Sequence, residues 1–281
     1  MLKIENLRKT YPSFTLKDVS FELPKGYIMG FIGANGAGKT TTLKSILNIV
    51  KPDAGTVTIF GKNIVGNETE LKRRIGFMYG ETTFYPHKQI GAIVKVFKRF
   101  YPTWDETAYR SYLDRFGLDE KKQVTELSSG MKVKFALTLA LSHGAELFIF
   151  DEPTSGLDPA ARAELLDLFR ELVLDGERSI LFSTHITSDL DKCADFVVFI
   201  RDGELVANTT KDDLIAAHAV VSGKPGDLTD DLRARLVGVR KNAFGFTGLI
   251  RRANLREGEV PVVEKPNLED IMIYYDKGAS K

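Results

Sequence analysis

The chain has 281 residues, 43% hydrophobic and 27% charged, enough for one large domain or a domain with an appendage. Lys and Arg number 39 against 38 Asp and Glu, a balance that gives no electrostatic reason to expect nucleic acid or an anionic membrane surface as the main partner. Cys193 is the one cysteine, which excludes an intrachain disulfide. No apolar run reaches the ~18 residues of a membrane span, and "MLKIENLRKTY" lacks a signal-peptide core, so the expectation is a soluble, cytosolic chain able to dock onto a membrane protein.

Residues 2–31 read as β-structure, three short runs broken at "YPS" and "PKG". The third run ends in "GANGAGKTTTLKSILNIV", a Gly-rich turn that opens a helix. "GTVTIFGKNI" has the pattern of a hairpin and "RRIGFMYG" that of a strand. From about 86 to 145 the spacing turns helical, which predicts a largely helical insert. "ELFIFDEP" is a continuous apolar run ending in acids, the pattern of a buried parallel strand. Helix "PAARAELLDLFRELVLDG", strand "SILFSTH", helix "ITSDLDKCAD" and hairpin "FVVFIRDGELVANTT" follow. Strands alternating with helices indicate an α/β domain with a mainly parallel sheet. Beyond about Asp213 the pattern weakens to loops, short strands and a last helix at "LEDIMIYYDK". The expected division is a main domain over 1–215 and a small α+β appendage over 216–281.

Gly33 to Thr40, "GANGAGKT", fits G-x-x-x-x-G-K-[ST] at every fixed position, between a predicted strand and a predicted helix. Glycines there let backbone N–H groups converge on phosphates, and the helix N-terminus adds partial positive charge. The residues expected to hold a nucleotide are Gly33, Ala34, Asn35, Gly36, Ala37, Gly38, Lys39, Thr40 and Thr41. Lys39 would neutralise the β- and γ-phosphates, and Thr40 would place its hydroxyl on Mg²⁺. Asp151 and Glu152 sit at the carboxyl end of the buried run, the edge where ligands bind in open α/β sheets. Asp151 suits the Mg²⁺ shell through water. Glu152, one residue on, points elsewhere and can polarise an attacking water.

The order of phosphate loop, helical insert, "LSSGM", "LFIFDEP", "SGLD" and an isolated histidine resembles the nucleotide-binding domain of ATP-binding cassette (ABC) proteins, over residues 1 to about 215. The resemblance implies a P-loop core of parallel sheet with an antiparallel β-subdomain, a helical signature subdomain and an ATPase that needs ATP and Mg²⁺. It also implies that the signature tip, here Ser128, Ser129 and Gly130, grips the γ-phosphate of ATP held by a second subunit in a head-to-tail dimer. Ser128 is at the same time a natural N-cap. Ser129 and Met131 depart from the usual LSGGQ. Asp158 resembles the residue that contacts the opposite subunit near the attacking water, and it is equally suited to cap the helix that opens at Pro159. His185 matches the switch histidine that orients the water. Tyr11 matches the position whose ring stacks on adenine.

Where the family usually carries a glutamine near Mg²⁺, Gly80 stands here, with Glu81 next. Glu81 can substitute, adding negative charge near the phosphates, or water can fill the gap. In transport members the following aromatic stretch receives a membrane subunit, and Phe84 and Tyr85 are the residues expected to face it. The resemblance is strongest to type-2 exporters of antibiotics or peptides. It therefore implies a homodimer bound, at the inner face of the cell membrane, to a separate transmembrane permease. The alternative is a soluble ABC ATPase acting on nucleic acid or ribosomes. Such ribosome-acting members usually carry two cassettes in a chain, and the DNA-repair members split loop and signature by a coiled coil. Here 89 residues separate Lys39 from Ser128, too few for that.

Overall fold

A computed structural model describes residues 1–79 and 84–278, with the side chains of the last two of these left out of account. Gly80 and Glu81, the departure noted above, lie outside the described residues. Three sheets organise the chain. The first is antiparallel, in the order β2 (Phe14–Leu23), β1 (Leu2–Tyr11), β4 (Ala54–Ile59), β5 (Lys62–Asn63). The second runs β10 (Glu204–Thr210), β9 (Phe196–Arg201), β3 (Ile28–Ile32), β8 (Ser179–Thr184), β7 (Leu147–Asp151), β6 (Ile75–Met78). Its strands are parallel except β10, which pairs antiparallel on the edge.

The central strands are apolar on both faces because both faces are covered. Side chains alternate along a strand, and the alternation divides two cores. Ile28, Ile32, Phe148, Phe150, Ile180, Phe182, Val197 and Phe199 face the helical side. Met29, Phe31, Leu147, Ile149, Leu181, Val198 and Ile200 face helix α1 (Lys39–Ile46) and the antiparallel sheet. One short helix, α2 (Glu68–Lys72), precedes β6. Between β6 and β7 lie helices α3 (Ile90–Phe97), α4 (Glu106–Phe116) and α5 (Ser129–Leu141). Helices α6 (Pro159–Val173), α7 (Thr187–Cys193) and α8 (Lys211–Ala216) complete the cassette.

The C-terminal segment is more ordered than its sequence pattern indicates. It forms a third, antiparallel sheet, β12 (Leu236–Asn242), β13 (Gly245–Arg251), β11 (His218–Gly223), β14 (Val262–Glu264), with helices α9 (Asp230–Arg235) and α10 (Leu268–Gly278). Ala219, Val221, Phe246 and Ile250 share a small core with Leu232 of α9. Val220 and Leu249, on the other face, join Leu268, Ile271 and Tyr275 of α10 in the main core. Tyr275 meets Phe199 of β9 edge-on at 5.6 Å, so the lobe is packed onto the cassette.

Candidate active site

The phosphate loop leaves β3 and turns into α1. A Cβ on Gly33 would lie 2.4 Å from the Ile200 carbonyl oxygen, so only glycine lets the chain pass β9 there. Gly38 caps α1 at φ 113°, a left-handed conformation open to glycine at little cost. The N–H groups of the first helical turn have no intrahelical partner and point out of the helix end. A cavity of about 310 Å³ opens there, lined by residues 34–36 and 38–41 of the loop together with Phe14 and Glu152. Gly33 and Ala37 anchor the back of the loop instead, with the Ala37 carbonyl accepting from Gly203 N–H at 3.0 Å.

Lys39 is buried, and its ammonium donates to the Gly33 carbonyl at 2.7 Å and to that of Ala34 at 3.3 Å. It also lies 3.4 Å from Glu152 Oε1. Thr40 Oγ1 donates to Asp151 Oδ2 at 2.7 Å, joining loop to strand. Ser183 on the neighbouring strand donates to Asp151 Oδ1, and its Oγ accepts from Glu152 N–H at 3.0 Å. Parallel register places Asp151 opposite Ser183. Beside Asp151 lies Tyr79, whose phenol is pushed up to about 12 by burial and by the Asp151 charge.

Glu152 breaks the strand alternation. Its φ is +52°, a left-handed conformation that costs a non-glycine residue about 1–2 kcal/mol. That turn aims its carboxylate between two cations or potential cations: Oε1 toward Lys39 and Oε2 toward His185 Nδ1 at 2.8 Å. His185 itself is exposed, following the end of β8. A carboxylate held at both oxygens at the edge of this cavity can accept a proton from water. Two oxygens from Thr40 and Asp151 at hydrogen-bond distance are hard donors of the kind Mg²⁺ takes, alongside phosphate and water oxygens.

Ser128, Ser129 and Gly130 form a separate tip. Ser128 caps α5, its Oγ accepting from Met131 N–H at 3.2 Å, and both serines are exposed. None of the residues lining the phosphate cavity comes from this tip. Beside it lies the loop that carries Asp158: a Cβ on Gly130 would touch Leu157 at 3.4 Å, and one on Gly156 would sit 3.8 Å from Ser129 Oγ. Asp158 is exposed and caps α6, Oδ1 accepting from Ala160 and Ala161 N–H at 3.0 Å each. Those backbone donors, Ala161 first, hold its carboxyl below the usual range.

These chain features find close counterparts. A family model described as "ABC transporter" matches residues 16–155. The bacitracin transport ATP-binding protein of Bacillus licheniformis is 35% identical over 217 residues, covering 76% of this chain and 71% of the relative. This chain belongs to the ABC transporter family. The linearmycin resistance ATP-binding protein of Bacillus subtilis (strain 168) is also 35% identical, over 221 residues, covering 76% of this chain and 70% of the relative. A solved ATP-binding subunit of an ABC transporter superposes with a TM-score of 0.71 at 28% identity, over 77% of this chain and 92% of that one. A dimeric ATP-binding cassette bound to ADP and Pi shares the fold, with a TM-score of 0.68 at 22% identity, over 75% of this chain and 98% of that one. The ABC chain is an ATP-binding, ATP-hydrolysing transporter subunit, and no helix among its described residues is long and apolar enough to cross a membrane.

Three residues near the site carried no motif. Ser183 is hidden in an apolar run, and only strand register reveals it. Phe14 lines the cavity and its ring packs on Gly38, where an added Cβ would be 2.9 Å away. Tyr11, opposite Phe14 in the β1–β2 register, is 37% exposed and outside the cavity lining. Tyr79 is the third. Phe84 turns inward onto Phe135, ring centroids 4.7 Å apart, while Tyr85 is 75% exposed.

Proposed function

We propose that two copies of this chain pair head to tail, each closing the other's phosphate cavity with its Ser128 tip, and that ATP turnover in the pair drives a separate transmembrane permease. The observation that carries this reading is a division of labour within one chain. Lys39, Thr40 and Glu152 line the cavity, with Asp151 bonded to Thr40 behind it and joined to Glu152 through Ser183, yet the helix tip at Ser128 faces solvent elsewhere, beside Asp158. Helix tips grip anions with their free N–H groups, and a head-to-tail partner is what would bring one over the cavity.

In this reading residues 33–41 and Lys39 bind the triphosphate, and Tyr11 with the adjoining Phe14 receives the base. Thr40 and Asp151 would hold Mg²⁺, which neutralises phosphate charge when bound. Glu152 takes a proton from the attacking water, and His185 fixes the carboxylate's direction. Ser128, Ser129, Gly130 and Asp158 act on the partner's site. Residues 1–215 form the nucleotide-binding domain, with the helical subdomain at about 86–145, and 216–281 form the packed C-terminal lobe.

A second surface fits the permease. An apolar recess of about 120 Å³ lies between Leu47, Ile49, Ile75, Phe77 and Tyr101, with Lys72 at its edge. Ile49, Tyr85, Val96 and Phe100 are each more than half exposed. In this reading the recess receives a segment of the permease and holds the chain at the inner face of the membrane. The bacitracin and linearmycin relatives favour an antibiotic- or peptide-like cargo moved outward. The test is ATPase activity per molecule across a dilution series, followed by co-purification with the permease. Activity falling with dilution supports the shared site, and dilution-independent activity of a strictly monomeric protein overturns it.

A further inference from the structure

The deepest charge outside the phosphate cluster is Asp189 in the first turn of α7, whose side chain is fully buried. Its Oδ2 accepts from Thr154 Oγ1 at 2.7 Å, and its Oδ1 lies 2.9 Å from Arg162 Nε. Those three residues come from three segments. Thr154 follows Glu152 by two residues. Arg162 closes the first turn of α6, its N–H donating to the carbonyl of the capping Asp158 at 2.9 Å. Asp189 follows His185 by four, its N–H donating to the Ile186 carbonyl at 3.1 Å. One carboxylate thus ties together the segments that carry Glu152, Asp158 and His185.

Stability alone does not account for it. A buried ion pair gains little over well-packed apolar groups of similar size, because desolvation offsets the attraction. What such a pair can supply is a fixed register, since sliding either element leaves the Asp189 charge unpaired in the interior. We propose that Asp189, with Arg162 and Thr154, is a positioning device that sets the His185 turn against the Glu152–Asp158 loop, and so acts on ATP turnover without touching nucleotide. This rests on the reading that Glu152 and His185 serve hydrolysis.

The decisive variant is the double Arg162→Met, Asp189→Asn, which removes both charges together and leaves none unpaired. Three quantities are measured: melting temperature, affinity for a fluorescent ATP analogue, and kcat. A positioning role leaves affinity within about 2-fold and the fold intact while kcat falls about 10-fold or more, the scale of a sub-ångström to 1 Å misplacement. A stable double variant with wild-type kcat overturns the proposal. Should the double variant not fold, Thr154→Val, which deletes one hydroxyl and keeps the ion pair, decides: a kcat lowered several-fold, about 3-fold or more, at unchanged affinity supports it, and wild-type kcat overturns it. Glu152→Gln is run alongside. If that change leaves turnover untouched, the underlying reading of the site fails; if it abolishes turnover while the Asp189 variants are silent, the positioning proposal alone fails.

Discussion

His185 Nδ1 stands 2.8 Å from Glu152 Oε2, joining the ends of two adjacent parallel strands. The contact matters because Glu152 is held in a left-handed turn that its own residue type disfavours. Ser183 pins the backbone, and His185 and Lys39 pin the carboxylate. Glu152→Gln keeps the shape and removes the carboxylate proposed as the base. It should retain ATP affinity, lose about 10²–10⁴ in turnover, and accumulate an ATP-loaded dimer. Size exclusion with ATP and a phosphate-release assay check this; wild-type turnover would remove Glu152 from its assigned role.

The Thr40–Asp151 hydrogen bond makes a separate prediction about the ion. Asp151→Asn preserves the shape of the side chain yet loses the hard, charged oxygen proposed to hold Mg²⁺. Thr40→Ala removes the other proposed oxygen. Each should move the Mg²⁺ dependence of ATPase activity to higher concentration by about 10-fold or more, with lower kcat at saturation. Titrating free Mg²⁺ at fixed ATP reads the shift directly, and an unmoved midpoint would place the ion on other residues.

The cassette was legible because its physics is local. A Gly-rich turn between strand and helix, an apolar run ending in two acids and a serine before a helical pattern each declare themselves within a few residues. What stayed hidden depends on distance in sequence. Ser183 matters only because register sets it opposite Asp151, 32 residues away. Phe14 enters the cavity through the packing of β2 against the loop. The left-handed turn at Glu152 has no signal in its residue type. The C-terminal strands are short and carry glycines and charges, as in "LVGVRKN", and they find their faces only when α9 and α10 close over them.

His143 gives a pH signature unrelated to catalysis. It is 1% exposed, stacks on Tyr101 at 4.0 Å, and burial pushes its pKa down to about 4 from an ordinary 6.5. The folded form resists the proton that the unfolded chain accepts. Its contribution is therefore fully present above 6.5 and is lost as pH falls toward about 4. At about pH 5 the loss is on the order of 2 kcal/mol. His143→Phe keeps the stacking and has no proton to take. The variant's melting temperature should drop less than the wild type's between about pH 7.5 and pH 5, by the several degrees such an energy represents. Equal drops would mean that His143 titrates normally.

The shared site can be tested by mixing two dead proteins. Lys39→Ala removes the buried ammonium from the phosphate loop and leaves the Ser128 tip untouched. Ser128→Arg blocks the tip and leaves the loop untouched; the two sites are exposed to separate changes because no cavity residue comes from the tip. Each variant alone should be inactive, since every site in its homodimer contains the defect. In a mixed head-to-tail dimer both defects fall in one site, and the other site is assembled from an intact loop and an intact tip. Random pairing makes half the dimers mixed, so activity should return toward about a quarter of wild type. If each chain instead completed its own site, both defects would persist in every combination and the mixture would stay silent. A phosphate-release assay on the equimolar mixture therefore separates the two architectures without a membrane partner, because the exchange of subunits alone creates or fails to create a working centre.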